Sequence, residues 1–374
     1  MPASWRRAPP RARKVPDTRA DWRARLLRRV ADPAFQSWAA RFPVTRPFVR
    51  RDGARIFDLV SGFAQSQALR ALVELRVLER LTDTPRTAAD LARDLSLPPD
   101  RADLLLRAGA AMGLLSLRRG GFRITIRGAA LTGVPGLAEM IRHHDVLYRD
   151  LSDPVAFLKG DTAPELARFW PYVFGGNAPP DEAARYSRLM AESQSIVAED
   201  TLAAVDLSDV SHLMDVGGGT GAFLSHALAA HPHLRATLVD LPAVLDAVSP
   251  DLAARIARAP RNFREDSLPT GADALSLVRV LYDHADDTVG ALLKRCHAAL
   301  PDGGRILVSE PMTGGGSPHR PGDVYFAFYC AAMGTGRARS AGRIAELLSG
   351  AGFRDIRMPR PLRTFVTSVV TARR

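Results

Sequence analysis

From Ile56 to Leu81 apolar residues recur at helical spacing, with Phe57, Val60, Phe63, Ala64, Ala68, Leu72, Leu75 and Leu78 along one stripe. That period predicts a long amphipathic helix. Beyond it, TAADLARDLSL and RADLLLRAGAAMGLL read as two helices around a PPD turn, and LRRGGFRITIRG reads as a hairpin turning at Gly120 and Gly121. Helix, turn, helix and a two-stranded wing make a winged helix-turn-helix. Residues 136–205 continue as helices, interrupted at DPVAFLKGD and at FWPYVFGGNAPPDEAAR. After Asp206 the period changes: the apolar runs HLMDVGGG, ATLVDLP, ADALSLVRVLYDH and GRILVSEP alternate with helices, before a closing FRDIRMPRPLRTFVTSVVTARR. This alternation predicts an α/β fold, a mostly parallel sheet covered on both faces with an antiparallel edge. The expected organisation is an arm over 1–51, a winged-helix domain over 52–135, a helical linker over 136–205 and an α/β domain over 206–374.

Charge changes the picture of the N-terminus. The 374-residue chain carries +11, but its first 50 residues hold thirteen Arg or Lys against three Asp, so nearly all of the excess lies there. The body has no general positive field, and the second helix of the winged unit carries only Arg101 and Arg107 against Asp100 and Asp103. A phosphate-tracking surface would be richer in cations, so packing or dimerisation is expected of this unit and nucleic acid is not. The arm interleaves its cations with Trp5, Trp22, Leu26, Leu27, Phe35 and Trp38. Two readings stay open for it, a solvated tail or peripheral contact with an anionic membrane. No run approaches the roughly 18 apolar residues of a spanning helix, and the basic start lacks an apolar export segment. Two cysteines, Cys296 and Cys330, form no CxxC or four-ligand zinc pattern. A cytoplasmic protein without a metal is expected.

Candidate chemistry begins at Leu213-Met214-Asp215-Val216, followed by Gly217-Gly218-Gly219-Thr220-Gly221 and a helical AFLSHALAAH. A glycine-rich turn from strand to helix lets a ligand approach bare backbone. Asp240, closing the LVDLP run, is placed to accept both hydroxyls of a ribose. Ala222 stands where the dinucleotide fingerprint would have its last glycine, and no second phosphate loop is evident. The pattern favours S-adenosylmethionine over NAD.

DVGGGTGAFL, LVDLP, LVRVLYDHADD, VSEP and the late AGF followed by strands resemble the small-molecule O-methyltransferases that carry an N-terminal winged-helix dimerisation domain, the group including the plant caffeic-acid-type enzymes. The segments FDLVSGFAQSQ, VPGLAEMIRHHDVLYRDLSDPVAFLKGD, FWPYVFG, SLVRVLYDH and GDVYFAFYCAAMGTGRARS resemble the bacterial branch acting on acyclic hydroxylated carotenoids of the hydroxyneurosporene and demethylspheroidene type. The resemblance implies a Rossmann-like methyltransferase sheet, a homodimer, and methyl transfer from S-adenosylmethionine to a carotenoid hydroxyl, leaving S-adenosylhomocysteine. It implies that Gly217, Gly219 and Gly221 line the methionine part of the cofactor, Asp240 the ribose, and Leu241, Asn262 and Phe263 the adenine. Ser193 matches a serine that reaches the cofactor, and Met190 a substrate-facing methionine that reads equally well as helix core. A cofactor-binding relative without transfer activity and a ligand-sensing winged-helix regulator are the competing readings.

The catalytic positions depart from the plant pattern. Where those enzymes have a histidine base this chain has Tyr282; the orienting glutamate is present as Glu310, while a second one falls on Ala338. A buried tyrosine beside a carboxylate is a poor base. His284, His143 and His144 remain candidates, as does a reaction with no dedicated base, because a sulfonium methyl is already activated and orientation can supply roughly 7–11 kcal/mol. Tyr325, Phe326, Phe328, Tyr329 and Met333, with Phe169, Trp170, Tyr172 and Phe174, are expected to line a polyene pocket.

Overall fold

The protein is described from a computed structural model that covers residues 18–169, 194–363 and 365–374. Two compact units divide between Leu69 and Arg70. The first holds helices Thr18–Val30 and Pro33–Arg41 and most of the long helix Arg46–Glu74. The Asp32 carboxylate caps the second of these at the Phe35 N–H. The long helix starts earlier than the apolar stripe suggested and ends at Glu74, with Arg76 at φ +52 leaving the helical path. Only the end of that stripe is buried: Leu72 is inaccessible, whereas Phe57, Val60 and Phe63 are 67%, 62% and 75% exposed.

The second unit opens with the expected winged helix. Helix Ala88–Asp94 starts at a Thr87–Asp90 capping box, helix Pro99–Ala111 follows, and β1 (Leu115–Arg118) pairs antiparallel with β2 (Gly121–Ile124). Helices Ile126–Thr132, Leu137–Asp150 and Pro154–Lys159 lead away from the wing.

A seven-stranded sheet then forms from β3 (His212–Val216), β4 (Arg235–Asp240), β5 (Ala257–Pro260), β6 (Ala274–Val278), β7 (Arg305–Glu310), β8 (Arg354–Arg357) and β9 (Ser368–Arg373). Their order is β5-β4-β3-β6-β7-β9-β8, parallel except where β9 joins β7 and β8. This is the Rossmann-like arrangement with an antiparallel edge, and its order reverses at β3, where β4 and β6 depart to opposite sides. Alternation splits the core between two faces: Met214 and Val216 pack with Leu292 and Leu293 of helix Asp286–Ala299, while Leu213 packs with Phe223 and Leu224 of helix Ala222–Ala230. Strand ends on both sides of β3 thus frame a crevice at the switch point, where ligands of open α/β sheets bind.

Candidate active site

The loop after β3 is shaped by glycine for two different reasons. Gly217, Gly219 and Gly221 have φ of +69, +61 and +82, the left-handed region. A Cβ on Gly218 would lie 2.2 Å from Asp215 Oδ2, so that glycine serves internal packing. A Cβ on Gly219 would meet nothing within 4 Å, leaving open space where a ligand can lie against the backbone. The Gly219 N–H donates to Asp240 Oδ2 and the Leu241 N–H to Asp240 Oδ1, each at 2.8 Å. Both carboxylate oxygens are thereby fixed at the end of β4 with lone pairs left for hydroxyl donors. Burial pushes the Asp240 carboxyl up from its ordinary value, and the two N–H groups pull it back. Positive-φ glycines, open space above Gly219 and an oriented carboxylate fit a nucleoside with a free ribose.

Asp215, which the sequence reading did not single out as a site residue, lies beneath this loop. It is fully buried, accepts from Ser276 Oγ at 2.6 Å, and has no partner for Oδ2. Burial raises its carboxyl to about 7, with the nearby Asp240 charge adding to the rise. In the sequence it is the Asp that opens the DVGGGTG run, a polar residue within an otherwise apolar strand.

On the other side of the crevice the Phe263 ring reaches within 3.3 Å of where a Gly217 Cβ would be, and Val280 within 3.0 Å. Asn262 Oδ1 accepts from the Arg264 N–H at 3.1 Å, so one of its lone pairs is used locally. His284 stands edge-on to Phe263, with ring centroids 5.4 Å apart. It is 7% exposed, its Nδ1 has no partner, and burial, helped by Arg264 and Arg339, lowers it to about 4. That geometry puts His284 with the Phe263 ring, and its low basicity counts against a role as base.

The turn between them is clamped from below. Glu310 Oε1 accepts from the Val280 and Leu281 N–H groups at 2.9 and 2.7 Å, while burial raises its carboxyl to about 8. The buried Arg339 donates to the Leu281 and His284 carbonyls at 2.8 and 2.7 Å and pairs with Asp286. Among the described residues Glu310 therefore binds the backbone of the 280–281 turn, with Tyr282 standing where the plant pattern has the histidine. Arg339, adjacent to Ala338 where a second glutamate was expected, supplies the other clamp.

Tyr282 leaves this turn into a buried apolar cluster with Val146, Phe157, Leu166, Tyr329, Cys330 and Met333. Burial drives its phenol far above the usual range, so it is a neutral hydroxyl. His143 Nε2 lies 3.2 Å from Tyr329 Oη, and His144 Nε2 lies 2.8 Å from Tyr325 Oη, joining helix Leu137–Asp150 to the segment around 320–332. Burial, then the Arg70 charge, lowers the His144 imidazole. Phe326 packs edge-on against Tyr325 at the end of a π-helical turn, Arg320–Phe326, a distortion common at functional sites. Met333 is buried and Phe328 stacks on Phe157. Ser193, Met190, Trp170, Tyr172, Phe174 and the Phe169 side chain lie outside the described residues, as does Trp5. No group of three His, Cys, Asp or Glu able to hold a metal occurs among the described residues.

A glycine cradle and a carboxylate oriented for hydroxyl donors fit the class of nucleoside-binding α/β proteins, with a buried, tyrosine-containing apolar cluster in the same domain. Residues 148–354 match an O-methyltransferase domain and residues 57–132 an O-methyltransferase dimerisation domain. The chain belongs to the O-methyltransferase family. It is 56% identical over 346 residues, 90% of this chain and 91% of the relative, to demethylspheroidene O-methyltransferase of Cereibacter sphaeroides. With the enzyme of that name from Rhodobacter capsulatus it shares 53% over 336 residues, 89% of this chain and 85% of the relative. Human N-acetylserotonin methyltransferase, solved in complex with S-adenosylmethionine, superposes with a TM-score of 0.70 at 26% identity, covering 86% of this chain and 97% of that one. The chain is an O-methyltransferase whose methyl donor, for this class, is S-adenosylmethionine.

Proposed function

We propose that the protein transfers the methyl group of S-adenosylmethionine to the tertiary hydroxyl of an acyclic hydroxylated carotenoid of the hydroxyneurosporene or demethylspheroidene type, giving a methoxy carotenoid. The observation that carries this reading is the 56% identity along 91% of a demethylspheroidene O-methyltransferase, supported by a buried apolar cluster that contains Tyr282, two residues beyond the Val280 that borders Gly217.

In this reading Gly217, Gly219 and Gly221 cradle the methionine part, Asp240 accepts the ribose hydroxyls, and Leu241, Asn262, Phe263 and the His284 ring surround the adenine. Ser193 and Met190 keep their proposed contacts to cofactor and substrate. The bound cofactor supplies an activated methyl carbon. With that methyl carbon in the cradle, the chain's own residues would hold the substrate hydroxyl in line with it and receive the hydroxyl proton. His143 and His144 are the proposed proton acceptors, because each imidazole meets the tyrosines on the apolar side. Phe326, Tyr329 and Met333 hold the polyene end, and Glu310 and Arg339 keep the 280–284 turn in register.

Exposed Phe57, Val60 and Phe63 on the matched dimerisation domain support a homodimer closed over that helix. Among the described residues no helix is long and apolar enough to cross a membrane. A carotenoid nevertheless resides in a bilayer. Helix Thr18–Val30 displays Trp22, Leu26 and Leu27 beside Arg23, Arg25, Arg28 and Arg29, a composition suited to the surface of an anionic membrane, and we assign the arm to peripheral contact from the cytoplasmic side. An acceptor panel tests the reading: with labelled donor, the label is expected in the carotenoid tertiary alcohol in preference to a phenol. Transfer to the phenol alone overturns it.

A further inference from the structure

Tyr282 stands at the junction of the two halves of the site. Two residues earlier, Val280 borders Gly217 of the cofactor loop, and Tyr282 itself sits in the apolar cluster. Its ring and hydroxyl face a cation: Arg279 Nη2 donates to Tyr282 Oη at 3.3 Å, with the guanidinium carbon 5.8 Å from the ring centroid. Arg279 is held there by unusual backbone. It follows the last residue of β6 with φ +57, and its N–H donates to the Ser309 carbonyl at 2.8 Å. A non-glycine residue in this region is costly and concentrates at functional sites.

The Tyr282 hydroxyl is 3% exposed as a residue, accepts from Arg279, and donates its own proton to no acceptor among the described residues. An unused donor in an apolar setting is costly to leave unmade. Donation from a guanidinium also polarises the phenol, strengthening its O–H as a donor. We propose that Tyr282 donates this hydrogen bond to the substrate's hydroxyl oxygen, with Arg279 as the positioning residue that fixes and polarises it, so that the pair selects a hydroxylated polyene terminus over a plain hydrocarbon one. The oxygen keeps its second lone pair for the methyl carbon and its proton for an acceptor on the histidine side. In this role Tyr282 replaces a base with a recognition donor. The assignment rests on the carotenoid reading and deepens it.

Binding to the full-length protein saturated with S-adenosylhomocysteine, in detergent, provides the test, using two probes: an acyclic carotenoid tertiary alcohol and the same polyene without the hydroxyl. A site built to hydrogen-bond a hydroxyl rejects the analogue lacking it. The wild type is expected to prefer the alcohol at least about tenfold, Tyr282→Phe to bind both nearly equally, and Arg279→Met to behave like Tyr282→Phe while Arg279→Lys retains part of the preference. Affinity for S-adenosylhomocysteine should stay unchanged in the isosteric Tyr282→Phe, which separates this role from a folding defect. A preference retained in Tyr282→Phe overturns the assignment while leaving carotenoid methylation standing. Failure of the wild type to bind either polyene overturns both.

Discussion

The backbone N–H of Gly219 donates to Asp240 Oδ2 at 2.8 Å, tying the loop after β3 to the end of β4 through the carboxylate proposed to accept the ribose hydroxyls. Asp240 thus preorganises the loop as well as offering oxygens to a ligand. Asp240→Ala removes both, and charge-assisted hydrogen bonds contribute roughly 1.5–3 kcal/mol each. Calorimetry should show S-adenosylmethionine affinity reduced by about tenfold or more. Unchanged affinity contradicts the placement of the ribose.

Two adjacent glycines should respond to different degrees and for different reasons. Gly218→Ala drives a methyl group to 2.2 Å from Asp215 Oδ2, an overpacking expected to cost about 3 kcal/mol or more. Gly219→Ala has room for its methyl and bears only the strain of φ +61, roughly 1–2 kcal/mol. Thermal melts should therefore show the first variant severely destabilised, and the second folded but weak in cofactor binding. Equal melting of the two contradicts the distinction.

Asp215 gives a pH signature. Its carboxyl is raised by burial from 3.8 to about 7, so between these values the folded state keeps a proton that the unfolded chain has released. Stability from this group is complete below about pH 4, declines as pH rises toward 7, and levels off above it. The span corresponds to at most about 4 kcal/mol. Asp215→Asn should flatten that part of the pH dependence in urea unfolding, leaving the slope from Glu310, which is raised from 4.5 to about 8. An unaltered slope would count against the buried, protonated carboxyl.

The histidines divide by location. His284→Ala should weaken cofactor binding with turnover at saturating cofactor changed only a few fold, since its ring packs on Phe263. Loss of a proton acceptor costs about a hundredfold or more. That loss is expected of His143→Ala or His144→Ala. If His144 is the acceptor, activity falls as the pH drops through a value below the ordinary imidazole 6.5, because burial and Arg70 disfavour its charged form. An acid limb above 6.5 contradicts its assignment.

The arm makes a salt-dependent prediction. Replacing Trp22 and Trp38 with Ala, together with Arg28 and Arg29 by Glu, should reduce sedimentation with anionic vesicles at about 0.1 M salt, where charge is felt within roughly 10 Å. Cofactor affinity should be unaffected. Equal sedimentation returns the arm to a solvated tail.

The winged helix, the strands around DVGGGTG and LVDLP and the antiparallel edge were legible because their apolar periods are strong and their turns carry glycine. β5 was not: Ala257–Pro260 lacks an apolar run and ends in proline, and it forms only by pairing with β4. The apolar stripe of the long helix suggested burial that this chain alone does not provide for Phe57 or Phe63. The left-handed turn at Gly219 and the carboxylate of Asp240 at a strand end were legible, since both are local features of the motif. The partners of Glu310, the Phe263–His284 packing and the Arg279–Tyr282 contact could not be read in advance, because each depends on how strand ends and turns meet in the folded sheet.

The most direct test is product analysis with purified protein, labelled S-adenosylmethionine and an acyclic hydroxycarotenoid in detergent. A methoxy carotenoid carrying the label on the former hydroxyl oxygen, formed in equal amount to S-adenosylhomocysteine, is the predicted result. Saturable binding of S-adenosylmethionine with no label reaching the carotenoid would contradict it.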